Sequence, residues 1–349
     1  MGLNFFKKIG VKIQAEKLNK SLLNAVKDGN LSGVKAALEK GAYVNAEEDN
    51  GWTALMWASV KGHIDIAKLL IENGADVNAR GDYGMTALMY ASFNGQTEAV
   101  KLLIENGADV NAKNDKGLTA LRFASENEHT EIVKLLIEKI VKLLIENGAD
   151  VDLKDEYGMT ALMYASFNGE TEAVKLLIEN GADVNAKDEK GITSLISASV
   201  NGQTEAVKLL IENGADVDAK NDKGLCALMA SSSQGHTDIA KLLIENGADV
   251  NARDNFDRTA LMYASAKGHI DIVRLLIEKD ADVNAKDNLG RTALIYASAN
   301  GHTDIAKLLI ENGADVNAKD SDDTSALMWA YENGHTDIVS LLKNAGAKE

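Results

Sequence analysis

Residues 286–318 read K-D-N-L-G-R-T-A-L-I-Y-A-S-A-N-G-H-T-D-I-A-K-L-L-I-E-N-G-A-D-V-N-A, and almost the same text occurs eight more times. The leucine at the T-A-L position marks each copy: Leu55, Leu88, Leu121, Leu162, Leu195, Leu228, Leu261, Leu294 and Leu327. Successive marks stand 33 residues apart, except Leu121 and Leu162, which are 41 apart. A degraded copy with Leu22 at the mark precedes them. A fixed period of this size makes the repeat, rather than the whole chain, the unit of folding.

Within one copy, Asp287, Asn288 and Leu289 lead into Gly290, the pattern of a turn. Thr292–Asn300 is rich in Ala and places Leu294 and Ala297 on one face of a short helix. Gly301 breaks it. Thr303 and Asp304 open a second helix, the acid standing near its positive end. Ile305, Leu308 and Leu309 form an apolar stripe. Asn312-Gly313 ends that helix with a left-handed glycine cap, and 315–318 is expected to be a short extended link. Two helices this short cannot bury their own stripes, so the copies must stack on one another.

These motifs resemble the ankyrin repeat. The carriers are the turn glycine, T-A-L-M at Thr53–Met56 for the family's T-P-L-H, Gly301-His302 before the second helix, and G-A-D-V-N-A at Gly313–Ala318. The resemblance covers about Ser21–Lys348. It implies an all-α repeat solenoid of about ten repeats, made of paired antiparallel helices with hairpin-like fingers, and a protein-binding role. Two departures are systematic. The chain has no proline, so the helix-starting position loses the φ that proline would pre-set. Methionine also stands mostly where the family has histidine, as at Met56, Met89 and Met163.

Hydrophobic residues make up 45% of the chain, ample for a continuous core between stacked repeats, and the formal charge is −16. That balance points away from nucleic acid, which demands a basic footprint. It reads as a solvated acidic coat or, more weakly, as a match for a basic partner. The single cysteine, Cys226, occupies the Thr position of its repeat and reads as a small buried substitute. No apolar run is long enough to span a membrane, and the N-terminal residues lack a leader's apolar core and cleavage site. A monomer in the cytoplasm is expected.

The array has three irregular places. Residues 1–20 form a basic extension: Lys7, Lys8, Lys12, Lys17 and Lys20 oppose only Glu16, and Phe5, Phe6, Ile9 and Ile13 fall on one helical face. It reads as a helix covering the first repeat or a frayed terminus, or alternatively as an anchor touching anionic lipid. Residues 21–349 are the array: an N-cap repeat, 21–46, and nine further repeats. Terminal repeats need a polar outer side, and Ser340–Glu349 is more polar than its inner counterparts. Finally, V-K-L-L-I-E is written twice across 133–148, inserting eight residues into a second helix. Eight residues lengthen a helix by about 12 Å and turn it about 80° out of phase. A long helix is favoured over a bulge, because nothing in the stretch breaks helix and a loop would expose Leu and Ile.

No chemistry breaks the repeat. All six histidines (His63, His129, His236, His269, His302 and His335) share one position before the second helix. Units stacked about 10 Å apart keep them from sharing a metal, and each is expected to bond locally at its helix start. Cys226 has no base in its own repeat that would make it a nucleophile. Phosphate-loop and metalloprotease patterns are missing, as is an EF-hand. No catalytic residue, cofactor or metal is assigned, and an enzyme is not expected.

Positions that vary between copies are free for partners. Before the Thr stand Trp52, Met85, Leu118, Met159, Ile192, Leu225, Arg258, Arg291 and Thr324; two before the mid-repeat position come Val60, Phe93, Glu126, Phe167, Val200, Ser233, Ala266, Ala299 and Glu332; the finger tips carry Asn50, Tyr83, Lys116, Tyr157, Lys190, Lys223, Phe256, Leu289 and Asp322. Two readings fit. These side chains line a groove for an extended or helical peptide, apolar around Trp52, Val60, Tyr83, Met85, Phe93, Leu118, Tyr157, Met159, Phe167 and Ile192, and suited to acidic residues at Arg258 and Arg291. Alternatively they lean back onto neighbouring helices. Self-association through the same rows is a third use. A further row, Trp57, Tyr90, Tyr164, Tyr263, Tyr296 and Trp329, is expected to fill space between repeats.

Overall fold

The computed structural model describes the backbone of residues 2–125 and 141–348, and side chains from residue 13 within that range. The chain divides into two compact units: Met1–Ala165 with Glu172–Ala182, and Ser166–Thr171 with Asp183–Glu349. In the N-terminal unit, Gly2–Lys27 pairs with Leu31–Glu39, Ala54–Lys61 with Ile64–Glu72, and Ala87–Phe93 with Thr97–Glu105. Ala120–Ala124 begins a fourth pair, whose second helix is described over 141–146. The division falls within the pair Ala161–Asn168 and Thr171–Glu179. The C-terminal unit holds five more pairs, from Ser194–Val200 with Thr204–Glu212 to Ala326–Glu332 with Thr336–Asn344. Among the described residues there is no strand, only isolated bridges between Glu47 and Thr53 and between Lys319 and Ser325. The fold is the all-α repeat class that the period requires.

Most first helices start without proline because a threonine caps them. Thr53, Thr86, Thr193 and Thr292 each accept the N–H three residues on at 3.3 Å, satisfying one of the free donors at a helix start. The core repeats with the period. Leu294, Ala297 and Leu309 are fully buried and Ile305 nearly so, while Leu308 is only half-buried and Ala306 completes the second helix's inner face. The helix ends at Asn312, and Gly313 takes φ 85°. The expected extended link is instead a turn, closed by the Ala318 N–H on the Asp315 carbonyl at 3.2 Å. A turn is needed there so that Asp315 can cap its own loop: its carboxylate accepts the Asn317 N–H at 2.9 Å.

Helix Gly2–Lys27 runs unbroken through the expected edge at residue 20 and buries Leu22, Leu23 and Val26. The choice between a long helix and a bulge in the duplicated stretch turns on 126–140, outside the described residues. Its second copy is described, and it packs in register. Val141 and Leu144 are fully buried, as are their counterparts Val100 and Leu103. Asn111 donates to the Gly148 carbonyl at 3.1 Å, just as Asn78 donates to Gly107 at 2.9 Å. No helix among the described residues is long and apolar enough to cross a membrane.

Candidate functional site

Every finger is a hairpin closed by one backbone bond, such as Asp155 N–H to Met159 O at 3.1 Å and Asp254 N–H to Arg258 O at 3.0 Å. The first residue of the hairpin organises it. The Asp254 carboxylate accepts the N–H groups of Phe256 and Arg258 with one oxygen, at 2.8 and 2.9 Å. Its other oxygen accepts the Tyr263 hydroxyl at 2.7 Å. The same clasp joins Tyr164 to Asp155 (2.7 Å), Tyr296 to Asp287 (2.6 Å) and Trp329 to Asp320 (3.0 Å). The aromatic row therefore fills space as expected, and at Tyr164, Tyr263, Tyr296 and Trp329 it also ties the finger to its own first helix.

Neighbouring fingers are joined by a ladder of single backbone bonds: Asp115 N–H to Tyr83 O and Glu156 N–H to Lys116 O in the N-terminal unit, Asn255 N–H to Lys223 O and Asn288 N–H to Phe256 O in the C-terminal unit. The histidines form another ladder. Nε2 of His236, His269, His302 and His335 meets the carbonyl of Val200, Ser233, Ala266 and Ala299, respectively, at 3.1–3.2 Å. The expected bond at the helix start is thus replaced by one to the preceding repeat, 36 residues earlier in each case. The ring fits because a glycine lies beneath it: a Cβ on Gly301 would stand 2.7 Å from His335 Cε1. No group of three or more His, Cys, Asp or Glu side chains among the described residues could hold a metal.

The candidate binding residues occupy several environments. In the N-terminal unit, Tyr83 is 68% and Tyr157 55% exposed at finger tips, and Phe93 is 42% exposed at the end of its helix. Phe93 meets Phe123 edge-on, centroids 5.9 Å apart. Trp52 is half-buried between Trp57 and Tyr90, at 4.4 and 4.3 Å. Val60, Met85, Leu118 and Met159 are half-buried, and the Asn114 amide lies 3.4 Å from Met85 Sδ. In the C-terminal unit Phe167 is 48% exposed and Ile192 half-buried. There the two arginines have internal partners. Arg258 contacts Asp254 at 2.9 Å and lies over the Phe256 and Tyr263 rings, at 4.8 and 4.9 Å. Arg291 lies 3.9 Å from Asp320 and 5.4 Å from the Trp329 ring.

These clasps set the local electrostatics. Burial alone would raise the Asp254 carboxyl, but bonds from Tyr263, the Arg258 and Phe256 N–H groups and the Arg258 guanidinium outweigh it and hold it below the usual carboxylate value. Asp320 is held low in the same way, with Trp329 as the leading donor. Burial first, then the bond to Asp287, pushes the Tyr296 hydroxyl up to about 12.

Arg122 went unnoticed in the sequence reading. It is buried and stacks on Tyr164, 3.6 Å from the ring centroid. Its signal was visible: it stands alone where six other copies carry methionine. A family model described as ankyrin repeats in three copies matches residues 22–114, 79–140, 106–188, 137–221, 195–287 and 285–349. No curated protein sequence matches the chain.

Proposed function

Because the chain belongs to the ankyrin-repeat family, whose repeats are generally protein-interaction modules, we propose that it is a binding scaffold for a partner protein, engaged through the finger tips and first helices. The observation that supports this reading is the contrast between positions. The core leucines repeat unchanged from Leu55 to Leu327, whereas large apolar residues left exposed at finger tips and first-helix ends, Tyr83, Phe93 and Tyr157 in the N-terminal unit and Phe167, Phe256 and Leu289 in the C-terminal unit, stand at positions that change from copy to copy. Exposed aromatics in rows are what interfaces use. A scaffold held by three kinds of inter-repeat bond also loses little entropy on binding. The single buried thiol, Cys226, suits work in a reducing compartment such as the cytoplasm.

The test is affinity capture from the native source with the intact protein and with a Tyr83→Asp, Phe93→Asp variant. Both side chains are exposed, and aspartate tolerates the left-handed backbone at Tyr83 (φ 54°), so the variant should melt like the parent. A protein captured by the intact chain and lost from the variant is expected. Equal capture by both would move the binding face elsewhere, and capture of nothing by either would count against a scaffold.

A further inference from the structure

Four rings of the aromatic row, Trp57, Tyr164, Tyr263 and Trp329, come with a carboxylate and a cation. In the C-terminal unit, Arg258 stacks on Tyr263 and pairs with Asp254, while Arg291 lies beside Asp320 and Trp329. Tyr296, clasped to Asp287, feels both arginines. In the N-terminal unit, Arg122 covers Tyr164, whose hydroxyl is bonded to Asp155. Lys27 lies 4.5 Å from the Trp57 ring centroid and pairs with Glu48.

Tyr90 is different. Nine residues before it, where Asp155 precedes Tyr164, stands Gly81, so no carboxylate clasps its hydroxyl. The acid sits one residue later, at exposed Asp82, whose Oδ1 accepts the adjacent Tyr83 N–H at 3.0 Å. The backbone brings Asp82 beside Trp52: a Cβ on Gly51, next to Trp52, would stand 3.2 Å from Gly81 Cα and 3.7 Å from the Asp82 nitrogen. Burial first, then the Asp82 charge, pushes the Tyr90 hydroxyl up, against a bond with Trp52 that pulls it down. The nearest cation in sequence, Arg80, is turned to the Lys113 carbonyl at 2.8 Å and to Asp115 at 3.4 Å. Among the described residues Asp82 has no ion-pair partner. In Tyr90's own repeat the position that supplies Arg258 to Tyr263 holds Met85, and the position one repeat earlier, which supplies Arg291 to Trp329, holds Trp52, its ring 4.3 Å from that of Tyr90.

We propose that the Trp52–Tyr90 ring pair and the Asp82 carboxylate form the seat for an arginine side chain of the partner protein. This rests on the scaffold reading above and names the chemistry its partner must present there. A guanidinium suits the seat better than an ammonium, because its flat face covers a ring while its edge pairs with a carboxylate. Arg258 performs both roles in this same chain. The partner thus completes in trans the ring–carboxylate–cation set that Trp57, Tyr164, Tyr263 and Trp329 complete in cis.

The test uses the full chain with its three tryptophans fluorine-labelled, titrated with a blocked triarginine peptide and with its uncharged analogue, tricitrulline, at low salt. Triarginine is expected to move the Trp52 fluorine resonance saturably and leave Trp329 in place. Asp82→Asn, a change at an exposed side chain, should weaken that binding about fivefold. Asp304→Asn, an exposed acid in the other unit, should leave it unchanged. Trp52→Arg, which supplies the cation in cis, should abolish the effect of triarginine on Trp57. Equal binding of tricitrulline, or equal weakening by Asp82→Asn and Asp304→Asn, would overturn the seat. Capture of a partner protein that Asp82→Asn leaves untouched would also overturn it while leaving the scaffold reading standing.

Discussion

At the scale of single residues, the repeat's regularity makes each exception informative. Among the described residues Cys226 caps its first helix with a thiol, which at best accepts weakly and makes no capping bond of ordinary geometry, whereas Thr193 and Thr259 hold the N–H groups of Ile196 and Met262. Cys226→Thr should recover that bond in a site of nearly the same volume and raise stability by about 1 kcal/mol, read as a higher urea midpoint at unchanged slope. A lower midpoint would mean that the site cannot take the hydroxyl. Burial also pushes the Cys226 thiol up. Tyr296 gives a second prediction. Its folded value, about 12, lies above the ordinary 10.0, so the folded state holds this proton more tightly. Its contribution is fully present below about pH 10 and is lost as pH rises through about 12. Phenolate absorbance should therefore show Tyr296 ionising late, and Tyr296→Phe should flatten the alkaline fall in stability.

Which residues were legible in the sequence follows from how far each one reaches. Thr292 acts on a neighbour three positions away, so its capping role can be read locally. The Asp–aromatic clasp joins residues nine apart across a turn, a distance no helical or strand period marks. It is nevertheless written in the differences between copies. Asp155, Asp254, Asp287 and Asp320 are matched by the donors Tyr164, Tyr263, Tyr296 and Trp329, while Asn114 and Asn221 are matched by Phe123 and Ala230, which donate nothing. Asp188 opposite Ser197, Gly81 opposite Tyr90 and Glu48 opposite Trp57 depart from that match. Arg258 and Arg291 looked available to an acidic partner because their row was read alone, without the carboxylates brought to them by the fingers.

At the scale of elements, the duplicated stretch is the sharpest case. The second copy of V-K-L-L-I-E holds the core and the loop ladder, so the first copy is the surplus one. Deleting Val133–Ile140 joins Ile132 to Val141 and restores the 33-residue period without removing a described core contact. The shortened chain is expected to unfold cooperatively at the parent's urea midpoint or above. A large loss of stability would mean that the surplus residues bury apolar surface of their own. The second helices carry exposed i,i+4 pairs such as Lys101–Glu105 and Lys307–Glu311, at 4.0 and 3.9 Å. Pairs this open contribute little, which fits an outer face with no part in the proposed binding.

At the scale of the whole molecule, one period sets both fold and surface. Burial fixes the leucines and alanines, so the sequence announces the architecture. The binding face is encoded only where copies differ, and those differences acquire meaning once the fingers and first helices are placed beside each other. The most direct test of a finger-and-first-helix binding face is amide hydrogen exchange on the chain alone and with its captured partner. Slowed exchange confined to 82–94 and the equivalent stretches of neighbouring repeats, with Ile64–Glu72 and Thr97–Glu105 unchanged, is the predicted result. Protection confined to those second helices would contradict it.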